Sequence, residues 1–87
     1  MAKYKILIKA SAAKEIERIP TRKDRRRIVE RIRHLSDNPR PRGCEKLSGQ
    51  DRYRVRQGIY RIVYSVHDDL LVVNVIKVGH RKDVYRN

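Results

Sequence analysis

The chain opens on an alternation in which Tyr4, Ile6 and Ile8 are apolar and Lys3, Lys5 and Lys9 are charged. A period of two turns one face to a core and the other to water, so a first strand is predicted over Lys3 to Ala10. Ser11 is suited to cap a short helix through Ile19, with Ile16 and Ile19 inward, until Pro20 stops it. Thr21 and Asp24 then open a second helix, where Ile28, Ile32 and Leu35 recur at helical spacing beside Val29. Pro39 disfavours helical backbone at Asn38, so that helix should end near Asp37. Asn38 to Gly43, with two prolines and a glycine, reads as an exposed loop, and Glu45 to Asp51 leads toward a sheet.

From Arg52 onward the period of two returns in three runs, Arg52 to Gln57, Tyr60 to His67 and Leu70 to Gly79. They are broken at Gly58-Ile59 and Asp68-Asp69. Gly58 supplies the positive φ that a type II′ hairpin needs at its first position. The order βααβββ predicts an α+β fold, one domain over 1–87, with a helical hairpin on one face of a small, mainly antiparallel four-stranded sheet. A chain of 87 residues has room for only one modest core.

A two-residue Gly58-Ile59 turn sets Gln57 against Tyr60, Arg56 against Arg61 and Tyr53 against Tyr64. One face then carries Tyr53, Val55, Ile62, Tyr64 and Val66, which is the core face. The other carries Arg52, Arg54, Arg56 and Arg61 with Val63, Ser65 and His67. Like charges set opposite one another destabilise a strand pair, so this face is expected to await an anion. The last strand is apolar on both sides apart from Asn74 and Lys77, as in a strand covered on both faces. A two-residue Asp68-Asp69 turn would bring Val72, Ile76 and Val78 onto the arginine face, an apolar patch suited to a protein partner.

Charge sharpens this picture. Lysine and arginine number 23 against 10 acidic residues, a formal net charge of +13, which points to polyanionic partners and an acidic protein. A membrane surface would need a basic helix with large apolar anchors, and the second helix has one narrow apolar stripe. No apolar run approaches the length of a membrane span, and Met1 to Ala10 lacks the apolar stretch of a signal peptide. Cys44 is the one cysteine, so a reducing cytoplasm is the expected compartment and Cys44 itself is read as inert. His34, His67 and His80 have no ligand-like spacing, so neither a metal nor a cofactor is expected. Glu45 and Asp51, the acidic residues near the hairpin, have no carboxylate partner for acid-base work. Arginine holds phosphate bidentately and keeps its charge at physiological pH, so Arg54, Arg56 and Arg61 suit a phosphate cradle. Gly79 permits a sharp exit from the sheet, after which His80, Arg81 and Tyr85 are the side chains able to act near that cradle. Arg22, Lys23, Arg25 and Arg26 crowd the start of the second helix against its macrodipole, a placement that favours an external polyanion.

The segments Tyr53-Arg-Val-Arg-Gln-Gly-Ile-Tyr-Arg-Ile-Val-Tyr64 and Val75-Ile-Lys-Val-Gly-His-Arg-Lys-Asp-Val-Tyr85, with an Asp-Asp turn between them and Leu47-Ser48-Gly49 before the sheet, closely resemble the RelE toxins of the RelE/ParE superfamily. The resemblance implies a toxin that cuts messenger RNA in the ribosomal A site, against small-subunit ribosomal RNA, and is silenced by a cognate acidic antitoxin in a hetero-oligomer. It implies attack of a 2′-hydroxyl on the adjacent phosphate, leaving a 2′,3′-cyclic phosphate and a free 5′-hydroxyl. Tyr85 would be the base, Arg61 and Arg56 would stabilise phosphoryl charge, Arg54 would orient the backbone and Arg81 would assist the leaving oxygen. Arg52, Lys46 and Lys82, with the cations of the second helix, would touch RNA. Well-studied RelE proteins carry lysines where this chain has Arg54 and Arg56. Arginine is not deprotonated in proteins, so any proton shuttling by those lysines would pass elsewhere, with His80 the candidate. Two other functions share the pattern: a ParE-like DNA gyrase poison without nuclease chemistry, and a basic RNA-binding module without catalysis.

Overall fold

The computed structural model describes residues 3–47 and 51–80. In chain order these form β1 (Lys5–Ile8), α1 (Ala10–Glu17), α2 (Arg22–Asp37), β2 (Glu45–Lys46), β3 (Arg52–Gln57), β4 (Tyr60–His67) and β5 (Val72–His80). The expected α+β fold is present, with both helices on one face of the sheet. The sheet has five strands in the order β1-β5-β4-β3-β2. It is mixed, because β1 runs parallel to β5 while the other pairings are antiparallel. Both differences from the expectation are at the edges: the two-residue β2 pairs Glu45 with Arg54 and Lys46 with Tyr53, and β1 pairs across the whole length of the chain.

Local chemistry explains the helix ends. Thr21 Oγ1 accepts from the Asp24 backbone N–H at 3.4 Å and donates to the Asp24 carboxylate at 2.6 Å, the reciprocal contact that starts α2. Asn38 leaves the helix with extended backbone, as Pro39 requires. Ser11 is not the cap of α1: the helix begins at Ala10, directly off β1, with Lys9 in the capping position and no side-chain cap. Arg25 Nη1 donates to the Ile19 carbonyl at 2.6 Å, tying α2 to the chain leaving α1.

The core lies between the helices and the sheet. Ala12, Ile28, Ile32 and Leu35 from the helical side meet Val55, Ile62, Tyr64, Val73, Val75 and Val78 from the sheet, all of them buried. Tyr64 is fully buried, and its hydroxyl donates to the Pro39 carbonyl at 2.7 Å, holding the loop after α2 on the sheet. Burial pushes its phenol pKa up, with Cys44 adding in the same direction. The N-terminal segment is fastened to the end of α2 by Tyr4 N–H to the Ser36 carbonyl (2.9 Å) and Ser36 Oγ to the Tyr4 carbonyl (2.7 Å).

A second network ties the loop after α2 to the far end of β4. Arg40 grips Asp68 at 2.8 and 3.1 Å, donates to the Tyr53 hydroxyl at 3.0 Å and lies 5.1 Å from the Tyr53 ring centre. Tyr4 also donates to Asp68, at 2.6 Å. Arg40 first, and Tyr4 second, hold the Asp68 carboxyl down at about 2. The Asp68-Asp69 turn is longer than two residues: His67 pairs with Val72, so Leu70 and Leu71 belong to the turn and Leu71 takes a positive φ of 53°.

Candidate functional site

The β3–β4 hairpin has the register its turn predicts. Gln57 faces Tyr60, Arg56 faces Arg61, Val55 faces Ile62 and Tyr53 faces Tyr64. Gly58 has φ +61° and Ile59 no positive φ, as a type II′ turn requires. Tyr53, Val55, Ile62, Tyr64 and Val66 take the helix side, and Arg54, Arg56, Arg61, Val63 and Ser65 take the other.

On that second face β4 is withdrawn from solvent, while Arg52, Arg56 and His67 are exposed. Arg61 is only 8% exposed, beside Val63 at 7% and Ser65 at 8%. An arginine is rarely so buried unless it is paired, and both Arg61 and Arg54 have partners within the fold. Arg54 Nη2 donates to Glu45 at 2.9 Å, with the arginine side chain 12% exposed. Glu45 therefore acts on the candidate site as the counter-ion that orients Arg54. Arg56 is exposed. Arg61 faces Arg56 on one side and Gly79 on the other, so its neighbour in β5 presents no side chain.

The expected site residues divide accordingly. Arg54, Arg56 and Arg61 stand on one face, with Arg52 farther along β3. His80 does not join them. It pairs with Tyr60, on the helix side, where the two rings meet edge to face at 6.3 Å and His80 borders a depression with Glu15, Arg18 and Ile19. This register turns His80 away from the face that carries Arg54, Arg56 and Arg61. Lys46 lies opposite Tyr53, which also assigns it to the helix side. Arg22, Lys23, Arg25 and Arg26 belong to the helical layer, and Arg25 serves as the α1–α2 tie. Arg26 comes nearest the hairpin, sharing a depression of about 310 Å³ with Gln57, the residue next to Arg56. Arg81, Lys82 and Tyr85 lie outside the described residues.

The last strand also departs from its expected register. A shift between Val63 and Tyr64 leaves Val63 opposite Lys77 and Tyr64 opposite Val75, with Ile76 as the extra residue. Val72 stays with the arginine side, but Val78, expected there, is 2% exposed in the core opposite Ile62. Lys77 reaches Glu15 of α1 at 2.8 Å, and the same carboxylate accepts the Val78 backbone N–H at 3.0 Å. A bulge of this kind changes which face a side chain takes without any marker residue in the sequence.

Pairing of β1 with β5 assembles further polar groups on the arginine side that the sequence reading did not connect. Arg52, Ser65, Asn74 and Leu7 are successive cross-strand partners. A depression of about 540 Å³ there is lined by Lys9, Asp51, Arg52, Ser65, His67, Asn74 and Ile76. No signal in a single sequence could have joined Lys9 to Asn74, because no turn connects their strands. Among the described residues no three His, Cys, Asp or Glu side chains group as a metal site, and no helix is long and apolar enough to cross a membrane.

Comparison with known proteins places this arrangement. Residues 6–85 match the sequence model of the ParE toxin of type II toxin–antitoxin systems, parDE. The chain is 29% identical over 89 residues to a protein of Methanocaldococcus jannaschii named toxin RelE1, covering 98% of each chain. Among solved structures it resembles the RelBE2 toxin–antitoxin complex of Mycobacterium tuberculosis, with a TM-score of 0.80, 27% identity, and 95% of this chain and 97% of that one covered. It likewise resembles the archaeal RelE-RelB complex of Pyrococcus horikoshii, with a TM-score of 0.78, 28% identity, and 98% and 99% covered.

Proposed function

Because the chain belongs to the RelE/ParE family of toxins of type II toxin–antitoxin systems, we propose that it is a metal-independent endoribonuclease that cuts messenger RNA in the ribosomal A site. One observation carries this reading: Arg61 is held at 8% exposure on the same sheet face as Arg54 and Arg56. A fold that buries one arginine, sets a second across from it in register, and orients a third with Glu45 has charge positioned before any substrate arrives. Preorganised donors of this kind are what a phosphoryl transition state demands, and removing one typically costs about 2.7 to 4 kcal/mol in the barrier.

In the proposed reaction Tyr85, as the phenolate, takes the proton of the 2′-hydroxyl, which attacks the adjacent phosphorus. The P–O5′ bond breaks and the departing oxygen takes up a proton from solvent, giving a 2′,3′-cyclic phosphate and a 5′-hydroxyl. Arg61 and Arg56 take up the charge on the phosphoryl oxygens, Arg54 orients the backbone, and Arg81 assists the departing 5′ oxygen. Arg81 follows Gly79, the cross-strand partner of Arg61, by two residues in the sequence, which supports the role given to it. No proton transfer is assigned to His80, which faces the helices.

The partner that silences such a toxin would be an acidic antitoxin. A net charge of +13 supports this, as do Leu7, Ile8 and Val29, exposed at 44, 43 and 42% and able to take apolar anchors. A ParE-like gyrase poison without nuclease chemistry is the competing reading. Cuts mapped on programmed ribosomes, for wild type against Arg81→Ala and Tyr85→Phe, separate the two. Ribosome-dependent cuts lost in both variants support the nuclease. Gyrase-linked DNA breaks without RNA cleavage, or full activity in the variants, refute it.

A further inference from the structure

We infer that the depression formed by β3, β4, β5 and the end of β1 is a nucleotide subsite that reads one base of single-stranded RNA beside the cleaved linkage; this rests on the nuclease reading. Ser65 and Arg61 are four residues apart on β4, so they share a face and stand about 13 Å from one another at roughly 3.3 Å per residue. A base lodged at Ser65 therefore belongs to a neighbour of the nucleotide being cut.

The lining has the chemistry that base recognition needs. Ser65 Oγ and His67 Nε2 are 3.2 Å apart and hold each other in place, and Asn74 stands directly across from Ser65. Hydroxyl, imidazole and amide together offer donors and acceptors to a base edge, with Ile76 and the imidazole ring as surfaces against which a base can lie. Lys9 and Arg52 contribute the cations for the flanking phosphates. Asp51 joins the same lining and can accept from an exocyclic amine. The volume of about 540 Å³ falls in the range of small-ligand clefts, about 300 to 1,000 Å³.

A polypeptide suits this place poorly. The depression lies over the face of β5, β4 and β3, interior strands of the sheet, so a ligand seated there meets side chains and not a strand edge. Polar side chains set in a largely apolar surface and flanked by Lys9 and Arg52 suit a nucleotide, which offers a flat ring, hydrogen-bonding edges and a phosphate together.

The test maps cleavage on ribosomes programmed with messages randomised around the cut, for wild type, His67→Ala and Asn74→Ala. In parallel, wild-type protein labelled with nitrogen-15 is titrated with ribonucleotide trimers and, separately, with an acidic peptide. Base preference at one fixed position from the cut should fall on the order of tenfold in each variant, with preferences elsewhere retained. The amide signals of Ser65, His67 and Asn74 should shift saturably with the trimers. Cleavage with unchanged preferences, or an equal loss at every position, overturns the subsite. If wild type cuts no RNA the nuclease reading fails, and the titration still decides: saturable shifts uphold nucleotide binding. Signals that stay still, or that move only with the peptide, refute it.

Discussion

Replacing Arg56 by glutamine should make the fold more stable and the toxin less active. Arg56 and Arg61 are direct cross-strand partners, and because Gln57 and Tyr60 close the turn, they form the next, non-hydrogen-bonded pair, in which side chains lie closest. Two unit charges about 6 Å apart repel by about 0.7 kcal/mol in water, and by more where burial lowers the local dielectric. Arg61 is 8% exposed while Arg56 is exposed, so the pair lies between these limits. Like charges placed directly opposite destabilise a strand pair. Arg56→Gln should therefore gain about 0.5 to 1 kcal/mol, a rise in Tm of roughly 2 to 8 °C for a domain of this size. Because Arg56 faces solvent, the gain should shrink as salt rises. Ribosome-dependent cleavage should fall on the order of a hundredfold or more, since a transition-state donor has gone. The assays are thermal unfolding at low and high salt and single-turnover cleavage. A destabilised variant, or a gain indifferent to salt, would refute the claim that stability is given up to hold these charges together.

Tyr64→Phe leaves the buried Pro39 carbonyl without its donor and should cost about 1 to 3 kcal/mol by urea unfolding; a neutral effect would show that the loop is held by other contacts. Asp68 has a folded pKa near 2, below its ordinary 3.8, so it binds its proton more weakly when folded, and its contribution is complete above about pH 4 and lost as pH falls toward 2. Asp68→Asn should flatten the acid limb of the stability profile in that window, and an unchanged limb would discount the Arg40–Asp68 clasp. Glu45→Gln removes the counter-ion of Arg54, so the plot of log affinity for RNA against log salt should steepen by about 0.7, the increment for one further contact to a single strand. Fluorescence anisotropy across a salt series measures it.

Within the hairpin the sequence was enough. Gly58 set the turn, the turn set the register, and the register placed Arg56 against Arg61 and sorted both faces. The second helix was legible for a similar reason, since Thr21, Asp24 and Pro39 are marker residues whose chemistry acts locally. Strand β5 was harder: it is apolar on both sides, so alternation could not show the shift at Ile76 that moves Val78 into the core, and two leucines conceal the lengthened turn. Pairing of β1 with β5 left no trace, because parallel partners need no turn between them. Gly79 suggested an exit from the sheet, whereas β5 continues through Gly79 to include His80. Glu45 was recognised as an acid near the hairpin, but its two-residue strand was too short to announce that it pairs with Arg54.

The parallel seam between β1 and β5 has a bearing on synthesis. Lys5 pairs with Val72, so the first strand must wait, without its neighbour, until nearly the whole polypeptide has emerged. Such long-range closure is the slow part of assembly. A nascent chain that has made every arginine of the hairpin still lacks the strand that sets Gly79 beside Arg61, so the arginine face is completed only once β5 has emerged and found β4.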